Sequence, residues 1–489
     1  MIPVNLLFSG CFMSIHEKFL KLLAFSEAEM PEMLPCWKHT CELLGLSDED
    51  VRFACEDWIP KYWDMSLLGV RKCIGVYVRE LMEMTRLGEY KEQGAKILYC
   101  NVPSHPAAVY ANKIAGGDKI RISHPDYLMA TVLNAFFHKN TFLDSSEKSC
   151  MNPMCSHCGM NRLKADGRYN GIISSPTVMW NWGLYCNEGH KTEELIKNMG
   201  NEEWNYVLST IPKDYNHDVP EAEDIPRVNY LAKVLKEGQA EVSGYTGIDV
   251  RDEHVVEAMT EYLDYIAKVE ELSCLMALSD PQPVSGNDTT IFGAPTQMAF
   301  DSGFERLNEA IDLMLAEVRE RVERGIGPLP KGAPKLACQF VPFCVPWVSK
   351  AFAENGVNLS INTFFAPASK QRLYFDSEDI YRSVAQQWLS NPSAVNMNNE
   401  IELVCEMLTS FPLDGVIYGF FSFDRWIGSL QKTMVREVQE RTGIPHFYLE
   451  GDFWSDAQFS LDDRITRIQN IALKVKIKHM VSGSHNGKK

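Results

Sequence analysis

Three cysteines fall within nine residues in CMNPMCSHCGMNR: Cys150, Cys155 and Cys158. Cys186 follows in WGLYCNEGH. A C-x4-C-x2-C run with a distant fourth cysteine is the ligand spacing of a plant-type ferredoxin, in which thiolates hold iron–sulfur centres. Pro153 and Gly159 would help the backbone turn tightly around such a centre. An iron–sulfur cluster, [4Fe–4S] foremost, is the first reading of Cys150, Cys155, Cys158 and Cys186. Zinc held by the four thiolates, or by three with His157 or His190, is the alternative, although no second C-x2-C or H-x3-H knuckle accompanies the pair. Thiols merely packed near one another remain a third reading. Cys73, Cys100, Cys274 and Cys405 lie among apolar residues and read as small core hydrophobes, and Cys338 and Cys344 flank QFVPF.

Other residues could carry acid–base or anion chemistry. Glu450 and Asp452 follow an apolar strand pattern, where a carboxylate can serve as a general acid or base. With Ser455 and Asp456 close by, they could equally cap the next helix. Asp424 and Arg425 sit after GVIYGFF, and Arg464 and Arg467 stand about one helical turn apart, a spacing that permits a joint grip on phosphate. Arg425 and Arg467 are therefore candidate contacts for an anionic cofactor or substrate tail. Trp180, Trp182 and Tyr185 crowd the approach to Cys186 and could shield a metal centre from water or simply pack. No Walker motif, G-x-S-x-G or H-E-x-x-H occurs, and Gly325-x-Gly327 lacks the strand and remaining glycine of a dinucleotide fingerprint.

The totals narrow the field. A net charge of −17 over 489 residues would repel a phosphate backbone across most of the surface, so no nucleic-acid partner is expected, while a local basic pocket could still hold a coenzyme A ester. No apolar run reaches the roughly 18 residues of a membrane helix. PVNLLFSGC near the start loosely resembles a lipoprotein cleavage site, but it lacks a basic leading region and a full apolar core. Fourteen irregularly spaced cysteines do not form a small disulfide scaffold, and a reducing cytoplasm is the expected compartment.

These residues need elements to position them. Residues 1–92 read as a helical layer, with apolar positions recurring every three and four residues in Ser14–Leu23 and Cys73–Met84. Residues 93–190 alternate short apolar strands, Lys96–Cys100, Lys119–Ile122 and Gly171–Ile173, with helical stretches, and they carry the cysteine cluster. Residues 191–330 read as a helical insert, including Glu253–Leu278 and Phe304–Val322, which ends in the linker GIGPLPKGAP. Residues 331–489 return to strand–helix alternation, with strands at Lys335–Val341, Leu359–Phe365, Gly415–Phe421 and His446–Leu449. The expected fold is α/β: two doubly wound parallel-sheet domains with a helical N-terminal layer and a helical insert. The loops after Phe365, Phe421 and Leu449 should then share a crevice at the carboxyl ends of their strands.

Asp414 to Gln469 resembles the 2-hydroxyacyl-CoA dehydratase and benzoyl-CoA reductase family. The resemblance rests on Gly443-Ile444-Pro445 at a helix end, Glu450-Gly451-Asp452 after a strand, and Thr466-Arg467-Ile468 in the last helix. LACQFVPFCVPW through NGVNLSINTFFAPAS resembles the opening of the same domain, and YNGIISSPTVMWN an earlier strand and turn. The likeness covers about half the chain, most strongly Lys335 to Gln469. It implies an oxygen-sensitive enzyme of two related subunits acting on acyl-CoA, each with an iron–sulfur cluster. An ATP-hydrolysing activator protein supplies one low-potential electron, which turns the thioester carbonyl into a ketyl radical. Dehydration of a 2-hydroxyacyl-CoA or reduction of an aromatic acyl-CoA follows. Cys158, beside CGMNR, matches the family's first ligand. Two further ligand positions of the family are not matched: Met179 stands about where one cysteine is expected, and Phe423-Asp424-Arg425-Trp426 where another is. The local set of four cysteines would then have taken over, or the chain is a non-redox partner or scaffold subunit that binds a CoA ester, with structural zinc or no metal.

Overall fold

The computed structural model describes residues 13–149, 158–182, 188–200, 203–212, 224–339, 345–363, 374–391, 397–420, 425–450, 454, 456 and 460–486. β1 (Lys96–Cys100), β2 (Ile120–Ser123), β3 (Val178–Trp182) and β4 (Asn205–Ser209) form one sheet in the order β2-β1-β3-β4. β5 (Lys335–Gln339), β6 (Asn358–Asn362), β7 (Gly415–Phe420) and β8 (His446–Glu450) form a second in the order β6-β5-β7-β8. All pairs are parallel. One topology is thus used twice, and the expected pair of doubly wound sheets is present. In each sheet the chain steps outward from its first strand, then returns to continue on the other side. That reversal opens a crevice at the carboxyl ends of β1/β3 and of β5/β7.

Both faces of each sheet are covered, so the strands read as apolar runs. β3, β5 and β6 are buried along their whole length. Alternation sorts the second sheet's side chains: Leu336, Cys338 and Ile417 join Ile468, Ile471 and Ala472 on one face, while Ala337, Val416 and Tyr418 join Met434, Val435 and Val438 on the other.

The third strand lies later than GII. Gly171 takes φ +71, and the amides of Ile172 and Ile173 both donate to the Gly167 carbonyl, so this stretch closes the Gly159–Tyr169 helix. The strand is VMWNW, 178–182, whose entry is set by the Thr177 amide donating to the Ile97 carbonyl at 2.8 Å. Met179 is therefore a buried strand residue. β4 lies within the stretch read as helical insert, followed by the helices Ile225–Thr246, Asp252–Leu278 and Glu305–Arg324.

Long-range contacts bind the layers. The Leu68–Thr85 helix has no side-chain cap of its own, and Glu317 accepts from the amides of Leu68 (2.8 Å) and Gly69 (3.0 Å) instead. A Cβ on Gly69 would stand 2.6 Å from the Met314 backbone nitrogen, so that helix crossing requires glycine. The Ile380–Leu389 helix, which follows β6 in sequence, packs into the core of the first sheet. After β8, Trp454 and Asp456 reach back to the segment following β2. Asn134 donates to the Trp454 carbonyl (2.7 Å), and the Trp454 ring meets Tyr127 edge-on. Asp456 accepts from Trp347 Nε1 (2.8 Å) and pairs with His138 Nε2 (3.1 Å), whose ring stacks on Trp58.

Burial alone would raise the Asp456 pKa, but the hydrogen bond and charge of His138, with the Trp347 N–H, hold it below the usual carboxylate range. A depressed carboxylate stabilises the fold above its unfolded pKa, and that contribution fades as pH falls through the folded value. Asp456→Ala should cost about 1–3 kcal/mol at pH 7. The gap from wild type should close below about pH 4, as read from urea midpoints across pH.

Candidate functional site

The carboxyl ends of β1 and β3 bring together buried polar groups. Cys100 closes β1, and burial drives its thiol well above the ordinary range. Asn101 follows. His105 precedes the Pro106–Gly116 helix, and its Nε2 meets Gln387 Oε1 at 2.7 Å. Gln387 in turn donates to the Tyr262 hydroxyl (3.1 Å), which donates to the Thr296 carbonyl (2.9 Å). His124 pairs with Ser104 Oγ at 2.8 Å. Burial lowers both imidazoles to about 3, so they are neutral hydrogen-bonding groups near pH 7.

Cys158 is the N-cap of the Gly159–Tyr169 helix, extended at φ −68 and ψ 155 and 6% exposed. Its carbonyl accepts the Arg162 amide at 3.1 Å. The residue therefore stands at the end of the helix where the first amides and the positive end of the dipole favour a thiolate. The second turn carries Lys164, whose side chain is 4% exposed. Its ammonium pairs with Glu193, donates to Asn101 Oδ1 and lies 3.9 Å from Asp126. Burial would lower the Lys164 pKa, and the two carboxylates outweigh it and raise it. Asp126 is raised by burial despite that cation. One buried charge thus joins four segments: the end of β1, the helix after β2, the helix capped by Cys158, and the Glu188–Gly200 helix after β3.

Trp180 and Trp182 stack at 4.6 Å, Trp180 Nε1 donates to Ser209 Oγ (3.0 Å), and Trp388 lies 6.0 Å from Trp182. These indoles wall the corner with apolar surface. Cys150, Cys155, Cys186 and Tyr185 lie outside the described residues. Cys186 belongs to 183–187, which joins Trp182 at the end of β3 to Glu188 at the start of the next helix. Among the described residues no group of three or more His, Cys, Asp or Glu is placed to hold a metal ion. Of the other cysteines, Cys73, Cys100 and Cys338 are buried, while Cys274 and Cys405 are partly exposed.

The second sheet assembles a different set. Glu450 ends β8 and lines a cavity of about 650 Å³ with Lys432, Asp463, Arg464 and Arg467. Arg467 Nε donates to the Tyr448 carbonyl at 2.7 Å. Glu450 and Arg467 are thus brought together. Asp452 lies outside the described residues, as does the side chain of Arg425, the first residue of the Arg425–Thr442 helix. Lys164, Glu193, Asp126 and the His105–Gln387 pair carry no local signal in the sequence, where each reads as an ordinary polar position.

Residues 174–470 match the family described as 2-hydroxyglutaryl-CoA dehydratase, D-component. The chain belongs to this family. The dehydratase-family match includes Cys186, Arg425, Glu450, Asp452 and Arg467, and it begins after Cys150, Cys155 and Cys158. The (R)-phenyllactyl-CoA dehydratase alpha subunit of Clostridium sporogenes is 22% identical over 391 residues, which are 78% of this chain and 90% of that protein. Among the described residues no helix is long and apolar enough to cross a membrane.

Removing one member of a buried ion cluster leaves the others uncompensated. Lys164→Met should destabilise the protein by about 3–5 kcal/mol. Adding Glu193→Leu should recover part of that loss, and a double-mutant cycle on urea midpoints reads the coupling.

Proposed function

We propose that this chain is one subunit of an oxygen-sensitive iron–sulfur dehydratase that removes water from a 2-hydroxyacyl-CoA, working with a related second subunit and an ATP-dependent activator protein. The family match over 174–470 carries the reading. Both the family and the Clostridium sporogenes relative are described as dehydratases, which favours dehydration over ring reduction. That relative is an alpha subunit, which supports a partner chain.

The donor chemistry fits a cluster. Cys158 is a buried thiol at a helix N-terminus, and Cys150 and Cys155 lie just upstream of it. In sequence, Cys186 follows the third strand, 178–182, by four residues. Cys150, Cys155, Cys158 and Cys186 would hold the cluster, which when bound supplies one low-potential electron to the thioester carbonyl. The remaining roles belong to the chain. Trp180, Trp182 and Trp388 exclude water from the corner, and Lys164 with Glu193 fixes the helix that presents Cys158. Glu450 is the candidate acid–base group at the second crevice, with Asp452 beside it in sequence.

Anaerobically purified protein should contain iron and acid-labile sulfide in equal amounts, with a brown absorbance. The Cys155→Ser/Cys158→Ser variant should lose both. Zinc, or no metal in wild type, would replace this reading with a non-redox partner subunit that binds CoA esters.

A further inference from the structure

The cavity beside β8 has a construction the sulfur corner does not explain. β8 is the last strand of its sheet, and no described strand pairs with its outer edge. The Arg425–Thr442 helix covers one face of the sheet through Met434, Val435 and Val438. The Leu461–Asn486 helix covers the opposite face through Ile468, Ile471 and Val475. Both therefore flank the open edge, and their cations converge around it: Lys432 from the first, Arg464 and Arg467 from the second. Arg464 is only 7% exposed, and Arg467 is anchored on the Tyr448 carbonyl. Glu450 and Asp463 are the carboxylates in the same wall. A second recess of about 700 Å³ continues along the strand past Phe447, Tyr448 and Arg467 to Lys474.

Three cations converging on one concave wall are out of keeping with a chain of net charge −17. Guanidinium pairs grip phosphate oxygens through parallel N–H bonds, and lysine adds a point charge. Tyr448 lines the same cavity and offers an aromatic ring to which a purine can stack, while Phe447, its neighbour on the strand, packs on the opposite face of the sheet. We propose that this cleft binds the phosphoric anhydride of an adenosine-bearing ligand, and that the ligand is the nucleotide end of the acyl-CoA thioester. The assignment of the ligand rests on the dehydratase reading above, whereas the anhydride site rests on the cavity alone. Glu450 places the cleft at the carboxyl end of β8, so a tail held there can run over the strand ends toward the β5/β7 switch point.

Calorimetric titration of the full chain with coenzyme A, ADP and inorganic pyrophosphate tests this, in wild type, Lys432→Ala/Arg467→Ala and the single charge reversal Lys432→Glu, each first shown to melt cooperatively. Coenzyme A should bind wild type, compete with pyrophosphate, weaken with salt, and bind either variant about tenfold or more weakly. Coenzyme A binding equally to wild type and both variants would overturn the site and leave the dehydratase reading standing. Pyrophosphate or ADP binding that depends on Lys432, with no binding of coenzyme A, would keep the anhydride site and overturn the thioester as its ligand. No binding of any of the three would overturn both.

Discussion

An ammonium group sealed away from water governs the first half of this protein. Lys164 cannot be left bare in a dry interior, because the loss of hydration exceeds what packing can return. Glu193 and Asp126 supply the compensating charge and Asn101 a neutral acceptor, and each arrives on a different segment. Satisfying that one cation therefore fixes the angle of the Cys158 helix against the strand ends. It also fixes the Glu188–Gly200 helix, the next described element after β3. Trp180, Trp182 and Trp388 form an apolar wall beside His105, where the low polarity strengthens its bond to Gln387.

The repeated strand order gives the molecule two crevices with opposite characters. The first is closed and thiol-bearing, with neutral imidazoles and paired charges. The second opens at a strand edge that no described strand pairs with, and collects cations from helices on both faces of the sheet. A divided chemistry of this kind suits a substrate with a small reacting end and a large anionic handle. The halves are coupled by the Ile380–Leu389 helix, which packs across into the first core, and by Trp454 and Asp456, which reach back to Asn134 and His138.

Parts of this were legible in the residues. The parallel α/β pattern follows from short apolar runs alternating with amphipathic helices, and β1, β2, β5, β6, β7 and β8 fall where KILYC, KIRI and their later counterparts place them. The family resemblance was carried by GIP, EGD and TRI at element boundaries, where turn and cap chemistry restricts the residue types. The third strand was misplaced because GII is apolar and short, as a strand would be. Only the left-handed Gly171 and the bonds back to Gly167 make it a helix terminus. β4 was hidden because five residues between helices carry too little periodic pattern to declare themselves.

The sequence by itself determined the spacing of the cysteines at 150–186, the doubly wound class and the arginine spacing in the last helix, since those depend on residue type and local period. Tertiary structure alone decided that Lys164 is buried and paired, that His105 meets a glutamine 282 residues away, and that Lys432 joins Arg464 and Arg467 around one strand edge. The physical reason is the same in each case. Periodicity reports which face of an element is apolar, whereas the partner of a buried polar group is set by which distant segments the fold brings within hydrogen-bonding reach.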